Sequence, residues 1–141
     1  MKSIDEIIRG IEEDFSMFEE WVDKYAYIIE LGHNLPIIDQ KYKDENHLIR
    51  GCQSQVWLSA EKDTDGNIVF RADSDAIITK GIIALLVSVL SGQKAKDIVG
   101  ADLSFIDRIW LSSHLSPTRA NVLSEMILQI RYYAASYASQ E

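Results

Sequence analysis

The chain is predicted to be α+β, with a small antiparallel sheet of about three strands packed against helices. Three observations predict this. Apolar residues recur at helical spacing over the first thirty positions and again after Pro117. Two stretches between them, SQVWLSAEKD and NIVFRAD, alternate apolar and polar residues and flank Asp65-Gly66, a strong hairpin signal. The stretch SDAIITKGIIALLVSVLSG is apolar nearly all round, as a helix inside a core must be. Helices, then strands, then helices give α+β. A length of 141 residues predicts one domain, 1–141, able to bury a full core.

Each element has a local reason. Ser3 followed by Glu6 is a capping box that opens the first helix. Ile4, Ile7, Ile8, Ile11, Phe15, Phe18 and Val22 then form its inward stripe, and Asp5, Glu12, Glu13 and Glu20 its solvated face. A second apolar set, Trp21, Tyr25, Ile28, Ile29 and Leu31, runs to Gly32 as a helix C-cap, with a break or a bend somewhere between the two sets. From His33 to Asn46 the chain is an irregular connection, and Pro36 prevents helix continuation. HLIRG is read as a short strand. In SQVWLSAEKD, Val56, Leu58 and Ala60 share one face, and Trp57, Ser59 and Glu61 the other. Gly92 ends the buried helix, and KAKDIVG is a short helix or turn. Ser104 with Asp107 opens a further helix over FIDRIWLSSHL. Ser116-Pro117 caps the last one, whose inward stripe is Leu123, Met126, Ile127, Ile130, Tyr133, Ala134 and Tyr137.

Composition excludes several functions. The net charge is −8, and no cluster of Lys or Arg appears, so nucleic-acid binding is not expected. The acidic balance suits a protein partner of complementary charge. The N-terminus has charges where a signal peptide needs an apolar core. The longest apolar run, GIIALLVSVL, is far shorter than the ~20 residues of a membrane span. A cytoplasmic, reducing location and no membrane association are therefore expected. The chain has one cysteine, so no internal disulfide forms. Cys52, His33, His47 and His114 stand in no metal-ligand spacing, and no metal is expected. A cysteine hydrolase using His47 or His114 as base lacks a nucleophile elbow. The glycines are scattered and form no phosphate loop.

That leaves the thiol, in RGCQSQVW. Its bland reading is a small buried hydrophobe. Two features favour display instead. Gly51 permits a sharp turn just before Cys52, and Gln53, Ser54 and Gln55 are polar and uncharged. Arg50 is a cation able to favour a thiolate. The pattern suits a thiol that a partner must reach, and names no reaction.

The stretch GCQSQVWL resembles the signature of the SufE family of sulfur-acceptor proteins, which includes a CsdE branch. YIIELGHNLP, DSDAIITKGIIALL and HLSPTRANVLSEMI resemble three further family segments, in the same order, so the likeness spans nearly the whole chain. One departure is Val122, where the family usually carries Gly. The resemblance implies a fold similar to the IscU-type scaffold. It also implies a sulfur carrier without independent catalysis. A SufS/CsdA-type cysteine desulfurase would hold sulfur as a persulfide, the thiol of Cys52 would take it, and a Suf-type iron–sulfur scaffold would receive it. Gly51, Gln53, Ser54 and Arg119 would support the loop, with Arg119 at the family's arginine position. The pyridoxal phosphate belongs to the desulfurase, and no cofactor is expected here. An IscU-like scaffold needs several cysteine ligands, whereas one thiol can hold one persulfide. Lys80 is read as a snorkelling side chain, with an interface charge as the other choice. The oligomeric state, monomer or homodimer, stays open. The competing reading is a docking module that stimulates a desulfurase without covalent chemistry, with Cys52 structural.

Overall fold

The computed structural model describes residues 3–49, 55–108 and 117–139, excepting the side chains of 107–108 and 117–119. Helix α1 (Ile4–Ser16) starts at the predicted capping box: the Ser3 hydroxyl accepts the Glu6 N–H at 3.2 Å, and the Glu6 carboxylate accepts the Ser3 N–H. Ile4, Ile8, Ile11 and Phe15 form its buried stripe. The break falls between Met17, its C-cap, and Glu20, the N-cap of α2 (Trp21–His33). The break resets the helical phase. Val22 therefore lies 73 % exposed rather than on the inward stripe, where unbroken spacing would put it.

The C-cap of α2 is Asn34, not Gly32. Gly32 is instead one half of a close helix crossing. A Cβ on it would stand 3.0 Å from the backbone nitrogen of Gly81, on α3 (Ile77–Leu90). As expected for a helix with ten buried residues of fourteen, α3 is the centre of the core, packed against α1, α2, α6 (Pro117–Ala138) and the sheet.

A tyrosine ties the first two helices together. The Tyr27 hydroxyl donates to Asp14 Oδ2 at 2.8 Å, and its ring packs edge-on against Phe15. Burial, then the Asp14 hydrogen bond and charge, push the Tyr27 pKa up to about 12. An unfolded tyrosine ionises near pH 10. This contribution to stability is thus complete below pH 10 and disappears as pH rises towards 12. Tyr27→Phe is expected to be less stable than wild type at pH 7 by about 1 kcal/mol, the usual net worth of one hydrogen bond. The gap should close between pH 10 and 12, as read by urea denaturation. A gap independent of pH over that range would show that ionisation of Tyr27 is not involved.

The sheet has order β1-β2-β3, all antiparallel. Strands β1 (Val56–Lys62) and β2 (Asn67–Ser74) form the predicted hairpin, with Gly66 at φ 85 in its turn. Val56 and Leu58 face the core, opposite Ser74 and Ala72. The third strand is β3 (Gln93–Lys94); of HLIRG, His47–Ile49 are described and form no strand, and Arg50 and Gly51 lie outside the described residues. Gly92, at φ 81, turns the chain after α3 and donates to Ile68 O at 2.7 Å, which lays Gln93 beside Ile68. Leu48 makes only an isolated bridge to Trp57, because the chain reaches β1 no earlier than His47. Helix α4 (Ala95–Val99) follows β3, and α5 is described over Phe105–Arg108. The rest of the helix predicted over FIDRIWLSSHL, with Ser116, lies outside the described residues.

Helix α6 buries Val122, Leu123, Met126, Ile130 and Ala134 in the same core. Val122 is fully buried, so the departure from the family's glycine is absorbed as an apolar packing residue. Arg131 donates to Ala101 O at 2.9 Å, fastening α6 to the chain after α4. Among the described residues, no helix is long and apolar enough to cross a membrane.

Candidate functional site

The connection from α2 to β1 passes over the sheet. Near its start, Ile38 donates to Ala72 O and Ala72 to Pro36 O, which sets this segment alongside β2. Near its end it runs beside β1: Leu58 donates to His47 O at 2.9 Å and Ile49 to Val56 O at 2.8 Å. Between these points it crosses the face that carries Trp57 and Asp73, with the Lys43 ammonium 5.3 Å from the Trp57 ring centre.

Residues 50–54 therefore join two backbone ends that are already neighbours. The outgoing end is pinned separately. Gln55 N–H donates to Asp75 Oδ1 at 3.1 Å, and Asp75 N–H returns a bond to Gln55 O at 3.3 Å. The incoming end is set by Asp44, whose Oδ1 accepts the Asn46 and His47 N–H groups and contacts the His47 ring at 2.7 Å. The side-chain hydrogen bond with His47 leads in holding the Asp44 carboxyl below the usual range, with backbone N–H groups adding to it.

Close to these ends sits a charge cluster that the sequence does not announce, with a buried carboxylate between two half-buried lysines. Asp73 is 8 % exposed. Its Oδ2 accepts from Lys43, and its Oδ1 faces Lys80 at 3.3 Å and accepts the Ser74 N–H at 2.8 Å. Burial opposes ionisation of Asp73, but the Lys43 bond, the Ser74 N–H and the charge of Lys80 outweigh it, so the carboxyl titrates below its usual range. Lys80 is thus an ion-pair partner rather than only a snorkelling side chain.

Of the residues singled out from sequence, Arg50, Gly51, Cys52, Gln53, Ser54 and His114 lie outside the described residues. Arg119 stands in the first turn of α6, and its side chain lies outside the description too. His33 pairs with Glu30 and His47 with Asp44. Among the described residues, no group of three or more His, Cys, Asp or Glu could hold a metal ion. An open groove of about 530 Å³ between the crossing segment and the sheet carries Lys41 and Arg71 but also Asp39 and Glu61, so its charges cancel.

Sequence comparison agrees with the motif. The family model of SufE, an Fe-S metabolism associated domain, matches residues 9–134. The chain belongs to the SufE family. An uncharacterised SufE-like protein of Rhizobium meliloti (strain 1021) is 38 % identical over 135 residues, covering 93 % of this chain and 94 % of that protein. The solution structure of a hypothetical protein from Thermus thermophilus has the same fold at 16 % identity, with a TM-score of 0.78 over 94 % of this chain and 96 % of that one. Membership in the SufE family gives the chain a role in Fe-S metabolism. Within this SufE-family chain, the pinned ends at Ile49 and Gln55 bracket GCQS of the motif.

Proposed function

We propose that the protein is a sulfur carrier: Cys52 accepts sulfane sulfur from a SufS/CsdA-type cysteine desulfurase, accelerates that enzyme and passes the sulfur to a Suf-type iron–sulfur scaffold. The observation that carries this reading is the intact GCQSQVW motif, holding the chain's only cysteine, within a SufE-family match that spans the chain. The pinned ends on either side of residues 50–54 support it, since a thiol offered to a partner gains from a fixed base.

The chemistry is a thiol exchange at sulfur. The Cys52 thiolate attacks the outer sulfur of the donor persulfide. The new Sγ–S bond forms as the donor's Sγ–S bond breaks, and the electron pair leaves on the donor cysteine as its thiolate. Cys52 then carries –S–SH, the proton having stayed on the transferred sulfur. No external oxidant or reductant enters. A second thiol reads the sulfur out by the same step. The carrier needs no cofactor of its own, because the pyridoxal phosphate that releases the sulfur belongs to the desulfurase.

Intact-mass measurement after incubation with cysteine and a cysteine desulfurase tests this. An addition of about 32 Da at Cys52, removed by a thiol reductant, is expected. An unchanged mass with an active desulfurase would remove the reading.

A further inference from the structure

We propose that Asp73 is a positioning residue for the two ends that carry residues 50–54: by binding Lys43 of the incoming chain together with Lys80 of α3, it ties that chain to β2, where Asp73 is paired with Trp57 of the outgoing strand. The proposal rests on the carrier reading above. Three segments meet at this one carboxylate. Lys43 comes from the crossing segment, Asp73 from the end of β2, and Lys80 from the start of α3. Both oxygens are engaged, and the residue is buried.

Placement carries the argument. Asp73 is paired with Trp57, two positions into β1 from Gln55. Asp75, two positions beyond Asp73 on the other side, holds Gln55 itself. Lys43 directly precedes Asp44, whose carboxylate forms the turn that delivers His47 and Ile49 to β1. A shift of Lys43 is therefore passed within a few bonds to the incoming end, while Asp73 and Asp75 hold the outgoing one.

Stability alone is a poor reason for such a cluster. A pair built on a buried carboxylate loses part of its Coulombic gain to desolvation, and partly exposed lysines add little more. What this cluster adds over apolar packing is a selective link, because charge-assisted hydrogen bonding draws Lys43 and Lys80 to this one carboxylate. Transfer to a partner's sulfur is sensitive to geometry: a displacement of about 1 Å can cost ~100-fold in rate.

The test uses the full chain with Lys43→Met, Lys43→Arg and Asp73→Asn. Two readings are taken: amide hydrogen exchange, and sulfur-transfer kinetics with a cysteine desulfurase and cysteine. In Lys43→Met, exchange of the Ile49 and Leu58 amides is expected to speed up ~10-fold, with the Gly92 amide unchanged. The maximal transfer rate should fall ~10-fold, with the half-saturating desulfurase concentration within about twofold of wild type. Lys43→Arg, which keeps a cation opposite Asp73, should restore both readings. Wild-type exchange and transfer in Lys43→Met would overturn the clamp. So would an equal loss in Lys43→Arg, or a change confined to half-saturation, which marks a docking residue. If Asp73→Asn does not fold, the Lys43 pair decides alone. If the wild-type protein accepts no sulfur, the carrier reading fails, and the exchange comparison alone decides whether the clamp holds the two ends.

Discussion

Cys52→Ser is expected to abolish both the mass increase and the acceleration of the desulfurase. A serine hydroxyl is close in size to a thiol, so the substitution leaves shape nearly unchanged while removing the nucleophile. At neutral pH a thiol with a pKa near 8.5 has a usable thiolate fraction and a strongly nucleophilic sulfur, whereas a hydroxyl has neither. In the carrier mechanism the desulfurase turns over only when its persulfide is emptied, so loss of the acceptor sulfur removes all stimulation. The docking-module reading expects the opposite: the variant would still bind and would keep most of the stimulation. Alanine or sulfide production, measured with saturating cysteine against rising concentrations of each protein, separates the two. Retained stimulation by Cys52→Ser would end the carrier account and leave a SufE-family docking protein.

Gly81→Ala is expected to have the largest effect on folding. A Cβ at position 81 would lie 2.2 Å from the backbone oxygen of Ile28 and 2.6 Å from its Cγ2. The first of these is main chain of α2, so no rotamer change relieves it. Helices α2 and α3 would have to separate, and the fully buried Ile28, Ile82 and Leu85 would lose contacts on either side of the gap. Overpacking of this kind costs about 3 kcal/mol or more, out of the roughly 5–15 kcal/mol that holds a typical domain together. A drop in Tm of ~10 °C or more is expected by differential scanning calorimetry. Gly10 provides the control. Nothing lies within 4 Å of a Cβ there, and the position is exposed on α1. Gly10→Ala should hold or raise the Tm, because alanine favours a helix over glycine by up to ~1 kcal/mol. Equal effects at the two positions would show that the crossing at Gly81 is not tight.

The contrast between these glycines shows where sequence reading stops. Gly32, Gly81 and Gly10 look alike in the chain, yet only the first two meet another helix's backbone. Spacing puts Gly32 at the end of a helix because glycine there is common. Its actual reason is Gly81, far along the chain. Val22 misleads for a similar cause: the apolar pattern runs on across Met17–Glu20, and only the caps place the expected break there, ahead of Val22. The composition of HLIRG suits a third strand. Two residues at Gln93–Lys94 take that place because Gly92 turns the chain there, and two residues carry no periodic signal.

At the site, the thiol and its flanking glycine and polar residues are legible as a motif, whereas the framework around them is not. Asp75 and Asp73 stand within DSDAIITK, so a signal exists, but alternation cannot tell which carboxylate meets a backbone N–H and which meets two lysines. Lys43 lies in an irregular segment and offers no signal at all. Carboxylates as a class read as solvated, and Asp73 is a buried exception.

The α+β class, the hairpin at Asp65-Gly66, the buried helix, the capping box and the family can all be read from the residues in order. These depend on periodicity, turn chemistry and a short motif, all of which operate between residues close along the chain. That Lys43 and Lys80 share the carboxylate of Asp73, and that Gly81 faces Ile28, emerges from the folded chain alone. Lys43 and Asp73 are far apart in the chain, as are Gly81 and Ile28, and Lys80 meets Asp73 only because packing orients its helix. The energies of such contacts depend on distance and desolvation, which no local pattern records.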